Sequence, residues 1–164
     1  MAYWLAKSEP GVYSYSDLER EHRTEWNGVH NALALQHLKR MAPGDPILFY
    51  HSGEQRACVG IARVSGTPHP DPDDDRGSWS VEVRPVRPLS GPVPLAELRG
   101  DPALVDFVLL RMSRLSVMPV TAEQWKRILA REPKATGTRG ARQGKSVGSR
   151  SSSRVAAARK RGAT

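Results

Sequence analysis

Tyr3-Trp4-Leu5-Ala6-Lys7-Ser8-Glu9-Pro10 is the stretch from which the fold is read. Its aromatic and apolar residues predict a short strand over 3–7, and Ser8-Glu9-Pro10-Gly11 turns the chain. A cation, a hydroxyl and a carboxylate thereby gather at a strand end, where pockets open in small sheets.

Outward from that strand, Ser16 and Glu19 have capping-box spacing and predict a helix to about Arg23. Asn31 is a good N-cap for a second helix to Met41, with Leu35, Leu38 and Met41 or Ala42 on one stripe, and Pro43-Gly44-Asp45 stops it. Strands are expected over 46–52, with proline at its tolerated first position, over 57–64, and over 79–86, where Val81, Val83 and Val86 alternate imperfectly. Residues 95–98 and 102–110 look helical, and 115–119 is a short strand. Thr121 opens a last helix: Gln124 completes a capping box and Val120 can staple onto Trp125. Short strands interrupted by helices, without βαβ alternation, predict an α+β fold with a small curved or partly closed β-barrel flanked by short helices.

The 164 residues carry 25 Lys and Arg against 17 Asp and Glu, a net charge of +8. Nine of those cations lie beyond residue 132 with no acid among them, so residues 1–132 have a net charge of −1. That extension is rich in Gly, Ser, Ala and Arg and holds only Val147 and Val155 as sizeable apolar groups. It cannot bury enough surface to offset chain entropy. The expected division is a domain over 1–132 and a disordered basic tail over 133–164. Such a tail is either a nucleic-acid-binding arm or a solubilising extension; Lys134, Arg139, Arg142, Lys145, Arg159, Lys160 and Arg161 are its candidate phosphate ligands.

No apolar run approaches eighteen residues and the start has no signal-peptide pattern, so neither a membrane span nor a leader is expected. Cys58 is the only cysteine, which suits a reducing compartment. The expected location is the cytoplasm, or the nucleus in a eukaryote.

The opening stretch resembles the start of the EVE domain family, in which an aromatic strand runs into Lys-Ser-Glu-Pro. Trp26-Asn27-Gly28-Val29-His30-Asn31 resembles the family's Trp-x-Gly-Val-Arg-Asn, and Gly44-Asp45 with Phe49-Tyr50-His51-Ser52 its Gly-Asp…Phe-Tyr-His-Ser. His69-Pro70-Asp71 is similar to its Tyr-Pro-Asp loop, and Arg114-Leu115-Ser116-Val117-Met118-Pro119-Val120 to its Arg-Leu-Ser-Val-x-Pro-Val segment. The resemblance spans residues 3–130. It implies a PUA-like fold related to the YTH readers of methylated adenine, and binding of DNA or RNA that carries a modified base. His30 stands where the family has arginine and His69 where it has tyrosine, which exchanges a fixed cation for a residue type that titrates near neutrality.

A flipped base needs a flat face to stack on and polar groups for its edge. Trp26, in a polar stretch without strand or helix periodicity, is expected to supply the face; otherwise it plugs the barrel. Glu9 can accept from an exocyclic amine, Ser8 can donate or accept, and Lys7 can take a phosphate or a carbonyl; a capped turn explains Ser8 and Glu9 equally well. His30 and Asn31 complete the expected pocket, though a helix cap alone accounts for Asn31. Strand alternation sets Phe49 with His51 and Tyr50 with Ser52, so both pairs face one pocket only across a bulge. Tyr50 and Ser52 are favoured for the pocket, with His51 a satisfied core histidine on the plainer view. Arg114 binds phosphate or pairs with an acid.

Other chemistries fit poorly. Asp71, Asp73, Asp75, Gly77 and Glu82 only loosely imitate a calcium loop, since Pro72 intrudes and a strand follows. The histidines and Cys58 lack zinc spacing, Cys58 sits among apolar neighbours where thiols are inert, and there is no glycine-rich phosphate loop. A monomeric nucleic-acid-binding module with no cofactor and no metal is therefore expected. The alternatives are an enzyme acting on a nucleobase or nucleotide, and a nonspecific nucleic-acid binder driven by the tail.

Overall fold

The computed structural model describes residues 1–134; the tail beyond them, including Arg139, Arg142, Lys145, Arg159, Lys160 and Arg161, lies outside the described residues. The elements begin with strand β1 (Tyr3–Ser8), helix α1 (Tyr15–Glu21), strand β2 (Thr24–Trp26) and helix α2 (Ala32–Lys39). Strands β3 (Pro46–His51), β4 (Ala57–Val64), β5 (His69–Pro70) and β6 (Trp79–Pro94) follow. Helix α3 (Leu95–Arg99), a 3-10 turn at Pro102–Leu104, helix α4 (Val108–Arg111), strand β7 (Val117–Val120) and helix α5 (Ala122–Ala130) complete the order.

The strands form one sheet in the order β2-β6-β4-β3-β1-β7, with β5 paired on β6. Strands β1 and β3 run parallel, with Lys7 opposite Tyr50 and Ser8 opposite His51. Three irregularities bend the sheet: Val59 is extra between Gly60 and Cys58, Val86 between Pro85 and Arg87, and residues 89–92 between Pro88 and Val93. Bulges kink a strand and increase its twist, and the sheet curls into a half-barrel.

The same irregularities explain why β6 runs past the expected end at 86. Proline is tolerated in a sheet at bulges and edges, and β6 carries Pro85, Pro88, Pro92 and Pro94 at or beside its breaks. Val81 and Val83 are buried, whereas the bulged Val86 is 52% exposed. Near the end of the described chain, Glu132 accepts two hydrogen bonds from Arg87 at 2.7 and 3.0 Å and one from Ser90 N at 2.7 Å.

Helix α1 starts earlier than expected. Its capping box is Ser14 with Asp17, not Ser16 with Glu19, because Tyr15 must enter the core, where its ring meets Phe49 edge-on at 5.2 Å. Asn31 caps α2 as expected, its Oδ1 accepting from Ala34 N at 2.9 Å, and Thr121 with Gln124 boxes α5. Leu38 and Met41, not Ala42, continue the buried stripe of α2.

Gly60 is required by close approach: a Cβ there would lie 2.5 Å from the Tyr15 ring, whose hydroxyl is tied to the Ile61 carbonyl at 2.6 Å. Gly60→Ala should therefore cost roughly 1–3 kcal/mol by overpacking, read as a fall in melting temperature; an unchanged melting curve would show that Tyr15 moves aside freely.

Candidate functional site

The parallel pair brings the expected residues to one end of the sheet but divides them between its two faces. Side chains alternate along a strand, so Ser8 and His51 project to one face and Lys7 and Tyr50 to the other. Every residue of β3 from Ile47 to His51 is buried, so the expected contrast between a core face and a pocket face does not hold.

On the first face, His51 is the satisfied core histidine. Its Nε2 accepts from Tyr15 N at 3.1 Å and its Nδ1 lies 2.7 Å from Gln55 Oε1, so Nδ1 carries the proton. Burial holds its pKa below the ordinary histidine value. Ser8 is buried and its hydroxyl donates to the Tyr13 carbonyl at 2.6 Å. Ser52 N donates to Ser8 O at 2.9 Å, closing the two strand ends together. Glu9 is exposed, and its carboxylate lies over Gly53, where a Cβ would come within 2.7 Å of it.

Trp26 is not in an irregular polar loop. It ends β2, opposite Val81, and is 2% exposed with its ring edge-to-face on Phe49 at 5.5 Å and 88°. The buried neighbours Thr24 and Trp26 flank a half-buried Glu25, which is the period of a strand. An indole so enclosed cannot present an open stacking face; it forms part of the barrel floor. Its Nε1, however, is buried without a hydrogen-bond partner, and buried polar groups are nearly always paired.

His30 is exposed and engaged from both sides. Its Nε2 lies 2.5 Å from Asp74 Oδ2 and its Nδ1 lies 3.3 Å from Arg76 Nη2, so it fastens the 71–78 loop to the start of α2. His69 similarly lies 3.4 Å from Glu25 on β2. Asn31 is exposed and spends Oδ1 on its cap. Asp74 and Arg76 are partners that the motifs do not single out; the aspartate run of 71–75 is the signal that points to them. That run makes turns instead of a metal loop, since Asp71 accepts from Asp73 N and Glu82 bonds Ser65.

On the second face, Lys7 Nζ lies 5.8 Å from the Tyr50 ring centre and donates to the Ser113 carbonyl at 2.6 Å. Burial lowers its pKa to about 8 and raises that of Tyr50 to about 12. Tyr50 thus stands with Lys7 and apart from Ser8 and His51, against the expectation that placed it in one pocket with them. Arg114 is exposed and makes no ion pair among the described residues. Lys134 is exposed. Burial pushes the Cys58 thiol up to about 12, so it is no nucleophile near neutral pH.

A cleft of about 200 Å³ lies elsewhere, lined by Asp101, Arg127, Ala130 and Arg131. Its role is structural: Asp101 takes a two-pronged bond from Arg127 at 3.0 and 3.1 Å and caps Ala103 N. Among the described residues no three metal-ligating side chains gather, and no helix is long and apolar enough to cross a membrane.

A curled α+β sheet with polar groups at the shared end of two parallel strands defines the class, a PUA-like half-barrel. The EVE domain model matches residues 2–131, and the chain belongs to the EVE domain family. Human thymocyte nuclear protein 1 is 32% identical over 169 residues, which is 81% of this chain and 75% of the relative. A Rhodopseudomonas palustris protein solved by NMR is 41% identical with a TM-score of 0.76, over 80% of this chain and 93% of its own. Human THYN1 protein, solved in complex with 5-methylcytosine-containing DNA, is 30% identical with a TM-score of 0.73, over 82% of this chain and 99% of its own.

Proposed function

We propose that this chain is a nucleic-acid-binding module, not an enzyme, that reads a modified cytosine in DNA at the shared end of β1 and β3. The observation that carries this is the likeness to the human protein solved with 5-methylcytosine DNA, which extends over 82% of this chain. DNA is favoured over RNA on the same ground.

The residues on the first face suit a pyrimidine edge. Glu9 offers a carboxylate to the exocyclic amine of cytosine, a pairing used in base readout. The Trp26 Nε1, buried without a partner beneath that face, is a donor for the ring nitrogen or carbonyl of a base that opens the floor to it. The Asn31 amide NH2, left over from its cap at the start of α2, is a further donor. The methyl group adds an apolar contact worth about 0.8 kcal/mol if fully buried. Reaching these groups requires the base to leave the stack, at a cost of roughly a few kcal/mol, so phosphate contacts must supply much of the affinity. No activated nucleophile accompanies these groups: His51 has both ring nitrogens engaged and Cys58 is protonated.

The basic tail supplies the second reading, nonspecific coating, and the two separate cleanly. Removing residues 135–164 should flatten the dependence of affinity on salt, at up to about 0.9 in log–log slope for each phosphate no longer neutralised, and weaken binding to methylated and plain duplexes alike. The ratio between the two should survive. A ratio that collapses to one after truncation would assign the discrimination to the tail.

A further inference from the structure

At the end of the sheet where the base site is proposed, the segments around Lys7 bring cations that form no ion pair among the described residues. Lys7 leaves β1 with its ammonium over Tyr50 and on the Ser113 carbonyl. Arg114 is the next residue after Ser113 and lies in the segment before β7, which is tied to β1 by Lys7 N donating to Ser116 O at 2.9 Å. Arg56 closes the turn between β3 and β4 in the left-handed region, at φ 44°. Its carbonyl accepts from Leu95 N at 2.8 Å, which pins that turn to the start of α3. Arg99 ends the same short helix. Ala57, the residue after Arg56, pairs with His51, the residue after Tyr50, so Arg56 and the short helix that ends at Arg99 are anchored at the same strand end as the tyrosine that Lys7 overlies.

None of these four cations pairs with an acid among the described residues, which is also true of Arg40, Arg63 and Lys126, whereas Arg20, Arg23, Arg84, Arg87, Arg111, Arg127 and Arg131 all do. The four are set apart by their place around one strand end. A half-buried ammonium that meets a carbonyl and a ring face but no acid is costly to keep charged, and an anion would restore what burial removes. Guanidinium groups present forked donors that match a phosphate.

We propose that Lys7, Arg56, Arg99 and Arg114 form a clamp for the phosphates of a nucleic-acid backbone, on the face of the sheet opposite Ser8 and His51. The clamp rests on the proposed reading of a base at this strand end and supplies its missing affinity. Lys7 and Ser8 are adjacent in β1, so a strand whose base enters one face carries its flanking phosphates past the edge toward the other. Contacts of this kind position a duplex and bring no sequence information.

The test uses the full chain and two fluorescent duplexes that differ by one methyl group on a central cytosine, titrated between 50 and 200 mM salt. Arg56→Gln with Arg99→Gln should reduce the slope of log affinity against log salt by about 1.8, two phosphates at about 0.9 each, and weaken both duplexes equally. Arg84→Gln, on an arginine already paired with Glu82, should leave the slope unchanged and serves as the control. An unchanged slope in the double variant overturns the clamp. A lost methyl preference with the slope retained also overturns it, by assigning the arginines to base readout. If the parent chain binds both duplexes equally, the base reading fails while the slope still judges the clamp. If it binds neither, both fail.

Discussion

Trp26→Ala should lower the stability of the domain by about 3–5 kcal/mol, the usual cost of emptying a buried tryptophan site. The indole is 2% exposed and wedged against Phe49, which in turn packs on Tyr15 and His51. A cavity there would undermine the floor beneath the ends of β1 and β3, so base binding should fail together with the fold. Trp26→Phe separates the two effects. It keeps an aromatic ring edge-on to Phe49 and deletes an N–H that already lacks a partner, so stability should fall by much less. If that N–H meets the ligand, methyl-cytosine binding should weaken by about tenfold, the worth of roughly 1.4 kcal/mol. Chemical denaturation and oligonucleotide titration on both variants check this. A Trp26→Ala protein as stable as the parent would place the indole outside the core, contrary to its packing.

Asp45→Ala is expected to be of comparable severity, for a different reason. The carboxylate of Asp45 is nearly fully buried and gathers three donors: Ala2 N at 3.2 Å, Trp4 Nε1 at 2.9 Å and Ala42 N at 3.0 Å. It thereby fastens the start of β1 and the loop after α2 to the entry of β3. Hydrogen bonds to a charged group contribute about 1.5–3 kcal/mol each, and orphaned donors add a desolvation cost. The three are not additive, and a total loss of about 3–5 kcal/mol is expected. Asp45→Asn retains the shape but turns an amide NH2 toward donors, so it should recover only part of the loss. Thermal denaturation measures both, and a full rescue by asparagine would show that the negative charge contributes nothing.

These two residues also mark where the sequence is legible and where it is not. Gly44-Asp45 is visible as a helix stop and a family motif, but its hub role depends on Trp4, forty-one positions away, and no local pattern announces that. Strand β2 escapes a reading by pattern because three residues are too few to show a period, although Thr24 and Trp26 do alternate with Glu25. The consequence reaches the site: in a polar loop Trp26 would be a stacking face, whereas the paired strand buries it. Strand β6 reads as ending at 86, and the three prolines beyond that point argue against a regular strand; the bulges that admit them are set by pairing with β4. By contrast, Asn31, Thr121 and Gln124 announce their helix starts through chemistry that is local and survives tertiary packing.

The division of the site between two faces is legible in part. Alternation separates Phe49 and His51 from Tyr50 and Ser52, as the structure does for the first three. What alternation does not give is that both faces of β3 are covered, one by Tyr15 and Trp26 and the other by the groups around Lys7. His30 illustrates the same limit. Its place in the motif points to a ligand, but Asp74 and Arg76 come from a loop more than forty residues away.

The most direct measurement is a competition experiment with the full chain, in which a labelled 5-methylcytosine duplex is displaced by its unlabelled twin or by the same duplex with plain cytosine. Burial of one methyl group is worth about 0.8 kcal/mol, roughly fourfold in affinity. The methylated competitor should therefore displace the probe at a concentration up to about fourfold lower than the plain one, at both low and high salt. Equal displacement by the two duplexes across that range would contradict the reading of a modified base by this domain.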